Sequence, residues 1–414
     1  MRDIEILSLP QIKLRFEDMD LYLNLSAEND YELVTESPVP FSGTIEVDKT
    51  PDIENNPYFV IYVTDYCNMN CSYCFNAFSS VAQKRFNPIY SSSDFIDFIE
   101  RMNIEEFSVR FFGGEPLLNL DWIRLFVQAI KDKGYLCDYE IFTNASLIDD
   151  DFIAFSKENR IKIYMSVNGG ADEYKGKLYA NEISASIVKL CTANLNPYGR
   201  MVYSTRSEDS LVDLIQHPMD LGINMLSFTL PWGISCEERD RLRLQNEVKA
   251  LSDFYIANIL DSNYKYIGIH PIIGYIAKWI LREKYFSDQC GAGKSVACIS
   301  TSGDIYPCHC FNHHEIFRCG TVFSTYSPLF SHTTIDDMSL CKSCDVRFFC
   351  KSRCFADNYF MWGDCLLTNA DKCSSERLLI AASAYILHEL TKHPSEYRIF
   401  KKIIQMQRKK YDNN

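Results

Sequence analysis

The segment from about residue 57 to residue 233 alternates short apolar runs with longer stretches in which apolar residues recur every three or four positions. Short apolar runs are typical of buried strands, and the longer spacing is typical of amphipathic helices. Helical patterns occur, for example, at 94–102 and 121–134. The six predicted strands are 58–64, 107–112, 138–143, 161–167, 201–205 and 224–230. The repeat of strand and helix predicts an α/β fold with a parallel sheet and right-handed crossovers.

Residues 1–55 follow a different pattern, in which apolar and polar residues alternate over short runs. Such alternation indicates half-buried strands, here at 12–16, 21–25 and 43–47. Turn-prone residues separate these runs. We therefore expect a small β-rich N-terminal module, which either decorates the main domain or docks a partner peptide by strand addition.

Two helices are expected after the sixth strand. Ser235 and Glu238 have the spacing of a capping box, which predicts a long helix from there to about Ser262. A second helix is expected at 273–285. A helical pattern with a basic end returns beyond residue 374. We expect this helical tail to present a solvated face. The predicted domains are 1–55 (the β-rich module), 56–286 (strands and helices), 287–374 (cysteine-rich) and 375–414 (helical tail).

Composition narrows the classes of protein. The chain has 414 residues, of which 47% are hydrophobic, and a net charge of −13. It is therefore expected to be globular and not to bind nucleic acid, whose phosphates would be repelled. The start MRDIEILSLP lacks the apolar core of a secretory signal, and no apolar stretch is long enough for a membrane span. A cytoplasmic location is predicted, where thiols stay reduced and 17 cysteines indicate metal ligands.

Three of these cysteines follow the first predicted strand, in TDYCNMNCSYCFN. Cys67, Cys71 and Cys74 are spaced C-x3-C-x2-C. Four-iron clusters are normally held by four cysteine thiolates, so three would leave one iron open to another ligand. A zinc site or a structural cysteine knuckle is the alternative, because short cysteine motifs have many false positives.

The second predicted strand ends in FFGGEP. Gly113 and Gly114 would let the backbone approach a ligand there without interference from a Cβ atom. Polar residues also follow later strands, and barrel enzymes keep their active sites at this end of the strands. Simple turn chemistry at the strand ends is the alternative for each of these positions.

The three-cysteine loop, with GGEP one βα unit later, resembles the radical S-adenosylmethionine (SAM) superfamily. The resemblance implies a partial (β/α)6 barrel, in which the amino and carboxylate groups of SAM's methionine chelate the open iron. Asn168 departs from the Ser-x-Asp-Gly sequence that relatives often carry. The resemblance implies contacts to SAM from Tyr73, Gly113, Gly114, Glu115, Pro116, Thr143, Asn144, Ser166, Arg206 and Leu230.

The cysteines from Cys290 to Cys373 resemble the SPASM domain of peptide-modifying radical SAM enzymes, including anaerobic sulfatase maturases. This resemblance implies two auxiliary four-iron clusters. The first would be held by Cys290, Cys308 and Cys354, with Cys298 or Cys310 as candidate fourth ligand. The second would be held by Cys341, Cys344, Cys350 and Cys373. Zinc-ribbon sites are the alternative, since paired cysteines also suit tetrahedral zinc.

The resemblance also implies the reaction. An external donor such as flavodoxin or ferredoxin supplies an electron, SAM is cleaved, and the 5′-deoxyadenosyl radical takes a hydrogen atom from the substrate. The leading hypothesis is a maturase that installs a C–C or C–S side-chain crosslink in a ribosomally made precursor peptide with a leader segment. The alternatives are formylglycine formation in a sulfatase and a non-catalytic iron–sulfur or zinc-stabilised binding protein.

One residue bears on the choice between the two enzymes. Sulfatase-maturing relatives usually carry an acidic residue after the Tyr-Pro-Cys sequence, and His309 stands there in this chain, which mildly favours crosslinking. His309 is also the candidate catalytic residue, as an imidazole expected to titrate near neutral pH. A solvent-facing histidine beside a cluster is the alternative.

Overall fold

Four N-terminal strands form a separate antiparallel sheet in the computed structural model. They are paired in chain order: β1 (Asp3–Ser8), β2 (Gln11–Arg15), β3 (Asp20–Asn24) and β4 (Leu33–Val34). The predicted strands 12–16 and 21–25 correspond to β2 and β3, shifted by one residue; the one predicted at 43–47 lies outside the described residues. Besides these strands, the structure describes residues 57–71, 74, 76, 84–167, 176–205, 207–230, 237–281, 291–324, 326–334, 337–341, 344, 346, 350 and 354–412.

A ten-stranded mixed sheet forms the centre of the chain. Its parallel part runs in chain order through β5 (Tyr58–Thr64), β6 (Glu106–Gly113), β7 (Leu136–Thr143), β8 (Lys162–Ser166), β9 (Tyr198–Val202) and β10 (Met225–Thr229). A two-residue strand, β11 (Ile269–His270), extends this part beyond β10. The α/β class with a parallel sheet is therefore confirmed.

Helices connect these parallel strands: α1 (Ser92–Arg101), α2 (Leu120–Asp132), α3 (Asp150–Glu158), α4 (Gly176–Thr192) and α5 (Leu211–Asp220). Side chains cap the N-termini of several of these helices. Ser91 and Asp94 form a capping box at α1, and Asp149 caps α3. Alternate residues of β5, such as Phe59 and Ile61, pack into the large core shared with these helices. The residues between them, such as Val60, point to the opposite side, which we call the inner face.

Strand β9 lies three residues earlier than the predicted strand 201–205. The prediction followed the apolar run and excluded Gly199 and Arg200. Gly199 belongs to the strand because a Cβ atom there would lie 3.1 Å from the Val167 side chain, in a tightly packed layer. Arg200 belongs to it as a charged residue on the inner face. A strand that carries glycine and arginine side by side has no apolar signature, so the sequence pattern missed its first half.

Helix α6 (Glu238–Leu260) begins three residues after the predicted cap. Glu237 is the N-cap and Asp240 its capping-box partner, whereas Ser235 lies outside the described residues. The Asp240 carboxylate accepts from the Glu237 amide at 3.2 Å and from the Thr205 hydroxyl at 2.9 Å. The start of the helix is therefore held against the segment that follows β9. Helix α7 (Ile272–Leu281) matches the start of the helix predicted at 273–285.

The C-terminal segment forms two helices, α9 (Ala370–Thr391) and α10 (Pro394–Asp412). The expectation of a solvated face is wrong for α9, because twelve of its residues are buried. It packs against α6 and α7, and the Ser383 hydroxyl contacts the Ile272 carbonyl at 3.3 Å. Its small residues allow this close approach. None of the helices in the described residues is long and apolar enough to cross a membrane.

The cysteine-rich segment continues the central sheet. Strand β12 (Val296–Ile299) pairs in parallel with β5, and β13 (Asp304–Tyr306) and β14 (Gly320–Thr321) follow it antiparallel. One short helix, α8 (Phe355–Trp362), lies between two cysteines. Since β5 carries the three-cysteine loop at its end, β12 places the cysteine-rich segment directly beside that loop.

Asp65 links the end of β5 to this segment. Its carboxylate accepts from the Arg85 amide at 3.0 Å and the Thr301 hydroxyl at 2.7 Å, and it lies 3.2 Å from His313 Nε2. Burial works against ionisation, but the bonds from His313, Thr301 and Arg85 hold the pKa of Asp65 below its usual value. The carboxylate is therefore an ionised bridge between the two parts of the sheet.

Asp65→Ala is expected to lower the free energy of unfolding by about 1–3 kcal/mol, because it leaves buried donors unsatisfied. Urea unfolding measures the loss, and hydrogen exchange of residues 301–313 is expected to speed up. Asp151→Ala is a control, since that side chain is 75% exposed and its removal is expected to change stability by less than about 0.5 kcal/mol. Equal effects of the two substitutions would contradict the bridging role.

Candidate active site

The three-cysteine loop opens on a cavity at the C-terminal ends of the parallel strands. Cys67, Cys71 and Cys74 all line this cavity, which has a volume of about 280 Å³. The Cys74 amide donates to the Cys71 carbonyl at 3.1 Å, and the Met69 amide donates to the Cys67 sulfur at 3.4 Å. Short local bonds thus turn the loop so that its three thiols face one space.

Gly113 and Gly114 hold the end of β6 against the backbone of that loop. Two backbone hydrogen bonds join the two segments. The Gly114 amide donates to the Thr64 carbonyl at 2.9 Å, and the Glu115 amide donates to the Tyr66 carbonyl at 2.8 Å. A Cβ atom on Gly114 would lie 2.0 Å from the Tyr66 oxygen. Both glycines also line the cavity. The glycines therefore allow a close approach to the cysteine loop itself, and the approach to a ligand that the sequence predicted stays a prediction.

Gly114→Ala is expected to displace the cysteine loop and to lower the iron content after anaerobic reconstitution by more than about half, because neither backbone can move cheaply. Iron and acid-labile sulfide per chain measure the loss. Gly134→Ala serves as a control: a Cβ atom there meets nothing within 4 Å, and the strain from its φ of +78° acts before the start of β7, at the opposite end of the strand from the loop. Full iron loading of the Gly114 variant would show that the loop does not depend on this contact.

Glu115 is buried and joins the ends of two strands. Its carboxylate accepts from the Leu117 amide at 3.1 Å, the Thr143 hydroxyl at 2.7 Å and the Asn144 amide at 2.7 Å. The Asn144 side chain in turn donates to the Asn68 side chain at 2.8 Å and lies 3.8 Å from the Cys67 sulfur. A charge-assisted network therefore fixes the end of β7 relative to the loop.

The structure brings most of the predicted SAM contacts together. The cavity is lined by Gly113, Gly114, Glu115, Thr143, Asn144, Ser166 and Leu230. Pro116 is buried at the start of a 3-10 helix (Pro116–Asn119) and does not line it. Tyr73 and Arg206, and also Asn168, lie outside the described residues. The roles assigned to all these residues stay predictions.

His309 also lines the cavity, from the segment that follows β13. Its ring lies 5.0 Å from that of Phe112 on β6. Burial lowers the pKa of His309 to about 3, and the positive charges of Arg110 and Arg200 contribute. This differs from the expected titration near neutral pH, because the lowered pKa favours a neutral imidazole, and the side chain is half-buried on the cavity wall. Its role in catalysis stays a prediction.

The inner face contains further cavity residues that the sequence did not single out. Met69, Asn76, Phe142, Arg200 and Thr229 line the cavity. On β6, Arg110 donates to Glu140 of β7 at 2.6 and 3.0 Å, and its guanidinium lies 4.2 Å from the centroid of the Phe142 ring. A charged residue inside an otherwise apolar predicted strand is the signal that would have found Arg110, whereas no local sequence signal marks Arg200.

The C-terminal cysteines form two neighbourhoods. Burial raises the pKa of Cys373 to about 12, and Cys350, Cys341 and Cys344 beside it act in the same direction. Burial likewise raises the pKa of Cys310, which lies near Cys308, Cys354 and Cys298. The assignment of these cysteines to two auxiliary ligand sets stays a prediction, and Cys290 lies outside the described residues. No group of three or more ligand side chains with metal-binding geometry occurs in the described part of the chain.

The fold and the cavity together define a class of protein. A parallel strand–helix repeat whose first strand ends in a three-cysteine loop, facing Gly-Gly-Glu on the next strand, is the radical SAM fold. Residues 61–216 match the radical SAM superfamily. The chain therefore carries a radical SAM domain, and this superfamily implies SAM and a four-iron cluster as cofactors.

This chain is similar to particular known proteins and solved structures. The cysteine-type anaerobic sulfatase-maturating enzyme of Clostridium novyi is 21% identical over 338 residues, covering 70% of this chain and 84% of that protein. Among solved structures, native anSMEcpe with bound AdoMet and Cp18Cys peptide matches with a TM-score of 0.64 and 16% identity, over 81% of this chain and 99% of that chain. Streptococcus suis SuiB bound to precursor peptide SuiA matches with a TM-score of 0.54 and 17% identity, over 77% of this chain and 76% of that chain.

The donor set of this chain fits the implied cluster. Three thiols face one cavity, and the side-chain amide of Asn144 lies near one of them. Three thiolates suit a four-iron cluster with one iron open. The polar strand ends that surround the thiols provide room and hydrogen-bonding groups for a ligand of that iron.

Proposed function

We propose that this protein is a peptide-modifying radical SAM enzyme that abstracts a hydrogen atom from a ribosomally made peptide and installs an oxidative side-chain crosslink. One observation carries the proposal: the cavity that holds the three thiols is closed on one side by His309 from the cysteine-rich segment. A substrate in this cavity would therefore touch both parts of the chain. The relatives solved with bound peptides support a peptide as substrate.

Cys67, Cys71 and Cys74 would hold the SAM-binding cluster, whose chemistry when bound is one-electron cleavage of SAM. The chain's own residues orient and protect the reacting carbon. Glu115 and Asn144 fix the strand ends around SAM, and the aromatic rings of Phe112 and Phe142, 5.7 Å apart, line the inner wall. An apolar wall excludes water and stray hydrogen donors from the reactive fragment.

The two cysteine neighbourhoods would hold auxiliary four-iron clusters. Cys341, Cys344, Cys350 and Cys373 form one proposed ligand set. Cys290, Cys308 and Cys354 form the other, with Cys298 or Cys310 as fourth ligand. Crosslinking removes two hydrogen atoms from the peptide: the deoxyadenosyl fragment of SAM would take one as an atom, and the other would leave as a proton to solvent and an electron. The proposed role of the auxiliary sites is to accept this electron, with a flavodoxin or ferredoxin as external partner.

The proposed domain roles follow from these placements. The strands and helices of 56–286 form the SAM domain, 287–374 the auxiliary-cluster domain and 375–414 the helical tail. The N-terminal sheet of β1 to β4 has β1 and β4 at its edges. An extended leader peptide would dock there by adding a strand to one edge.

Formylglycine formation in a sulfatase is the second candidate. It is favoured by the likeness to the Clostridium novyi enzyme over 84% of that protein. It is disfavoured by His309, since relatives with that activity usually carry an acidic residue at this position. In the fold this position lines the cavity, so its chemistry bears directly on the substrate.

The test is incubation of the anaerobically reconstituted chain with SAM, a reductant and a library of random peptides, followed by mass spectrometry. Peptides that lose two hydrogen atoms and become resistant to fragmentation between two residues support crosslinking. Conversion of cysteine or serine to formylglycine supports the second candidate. Cleavage of SAM with every peptide unchanged would overturn both.

A further inference from the structure

Arg200 projects from the middle of β9 into the barrel. Its neighbours in sequence, Gly199 and Met201, are buried on the opposite side of the strand, so Arg200 lies on the inner face. It pairs in register with Ser166 of β8 and Ser227 of β10. It also lines the candidate active site. A guanidinium group is thus placed on the wall of the cavity that the thiols face.

The charge of Arg200 is not neutralised as that of Arg110 is. Arg110 forms an ion pair with Glu140 at 2.6 Å. Arg200 makes no ion pair with a carboxylate in the described part of the chain. Arg200 is exposed to the cavity, so an anionic ligand that enters the cavity can reach its guanidinium and pair with it.

The Arg200 side chain lies on the inner wall beside an aromatic ring. Its guanidinium is 5.8 Å from the Phe142 ring centroid. In the register of the sheet Arg200 is level with Ser166 at the end of β8, so both SAM and a substrate in the cavity are within the reach of an anion-binding group there.

We propose that Arg200 binds a carboxylate of the peptide substrate, an aspartate or glutamate side chain close to the reacting carbon. The inference rests on the proposed function and names an acidic peptide as its substrate class. A guanidinium binds a carboxylate through two parallel hydrogen bonds, which fixes orientation as well as position. The apolar wall of Phe112 and Phe142 strengthens such a pair by excluding water.

The methionine carboxylate of SAM has the same chemistry, so the test separates the two sources. Wild-type chain and the Arg200→Gln, Arg200→Lys and Arg239→Gln variants are reconstituted anaerobically and immobilised with SAM. Each is exposed to a library of random dodecapeptides, and the retained peptides are sequenced. SAM affinity is measured separately by equilibrium dialysis. Arg239 is the matched control because its side chain is 75% exposed.

Wild type and Arg239→Gln are expected to enrich aspartate or glutamate at one position of the retained peptides. Arg200→Gln is expected to reduce that enrichment by about ten-fold, the effect of losing one charge-assisted pair, with SAM affinity within about two-fold of wild type. Arg200→Lys is expected to fall between them, since lysine keeps the charge and loses the planar fork.

Three outcomes would overturn the inference: no acidic enrichment with wild type, an enrichment that survives in Arg200→Gln, or a loss of SAM affinity in that variant. The last would assign Arg200 to SAM. The proposed function fails separately, when the retained peptides are left unmodified after addition of a reductant. Circular dichroism of each variant shows that a lost enrichment does not come from unfolding.

Discussion

Cys71→Ala is expected to abolish SAM cleavage and to remove about four irons per chain, the content of one cluster. Cys71 is the central thiol of the loop, and it lines the cavity with Cys67 and Cys74. Two remaining thiolates would leave two irons without protein ligands. The loss is measured as 5′-deoxyadenosine formed under reduction, together with iron and sulfide per chain after reconstitution.

Cys137→Ala is the control for this experiment. Cys137 lies near the start of β7, outside the cavity lining and away from the three-cysteine loop. We expect wild-type iron content and SAM cleavage in that variant. Persistence of SAM cleavage in Cys71→Ala, or an equal loss in Cys137→Ala, would refute the assignment of the loop as the cluster site.

Glu140→Ala is expected to lower the free energy of unfolding by about 3–5 kcal/mol, because it leaves the Arg110 charge unpaired inside the barrel. The Glu140 carboxylate accepts from Arg110 and also from the Tyr58 hydroxyl. Its side chain is 11% exposed and that of Arg110 is 22% exposed. The shift of the urea midpoint, measured anaerobically at neutral pH, reports the effect.

Two further variants separate the effect of charge on stability from the effect of side-chain packing. Glu140→Gln keeps an acceptor oxygen for Tyr58 but loses the charge, so an intermediate loss is expected. The double variant Arg110→Met with Glu140→Leu removes both charges and is expected to lie close to wild type, because buried pairs often stabilise no more than apolar replacements. A double variant as unstable as Glu140→Ala would show that packing, and not the unpaired charge, dominates.

The sequence was most informative about features that depend mainly on one type of residue. Apolar runs mark the buried strands, since both faces of a covered parallel sheet exclude water. The spacing of Cys67, Cys71 and Cys74 predicts a loop with three converging thiols, and the fold places all three on one cavity. The glycine pair at 113–114 was predicted to approach a ligand closely, which stays a prediction, and in the structure it approaches the cysteine loop.

The sequence was less informative about features that depend on contacts between residues far apart in the chain. The start of β9 is set by packing of Gly199 against two other strands, which no local pattern contains. The low pKa of His309 arises from burial and from arginines on β6 and β9, which are brought together only by the fold. The expectation of a solvated tail followed its basic end, which lies on α10, whereas α9 carries the apolar run 378–387 and is buried against α6 and α7.

The pairing of β5 with β12 has a consequence for the order of folding. Asp65 and Thr301, which this pairing brings into contact, lie 236 residues apart. During synthesis, β5 keeps an open edge until residue 299 has left the ribosome, although its partner β6 is available much earlier. Open strand edges invite pairing with other chains, and long-range pairings form slowly. Nascent chains that stop before β12 are therefore expected to aggregate.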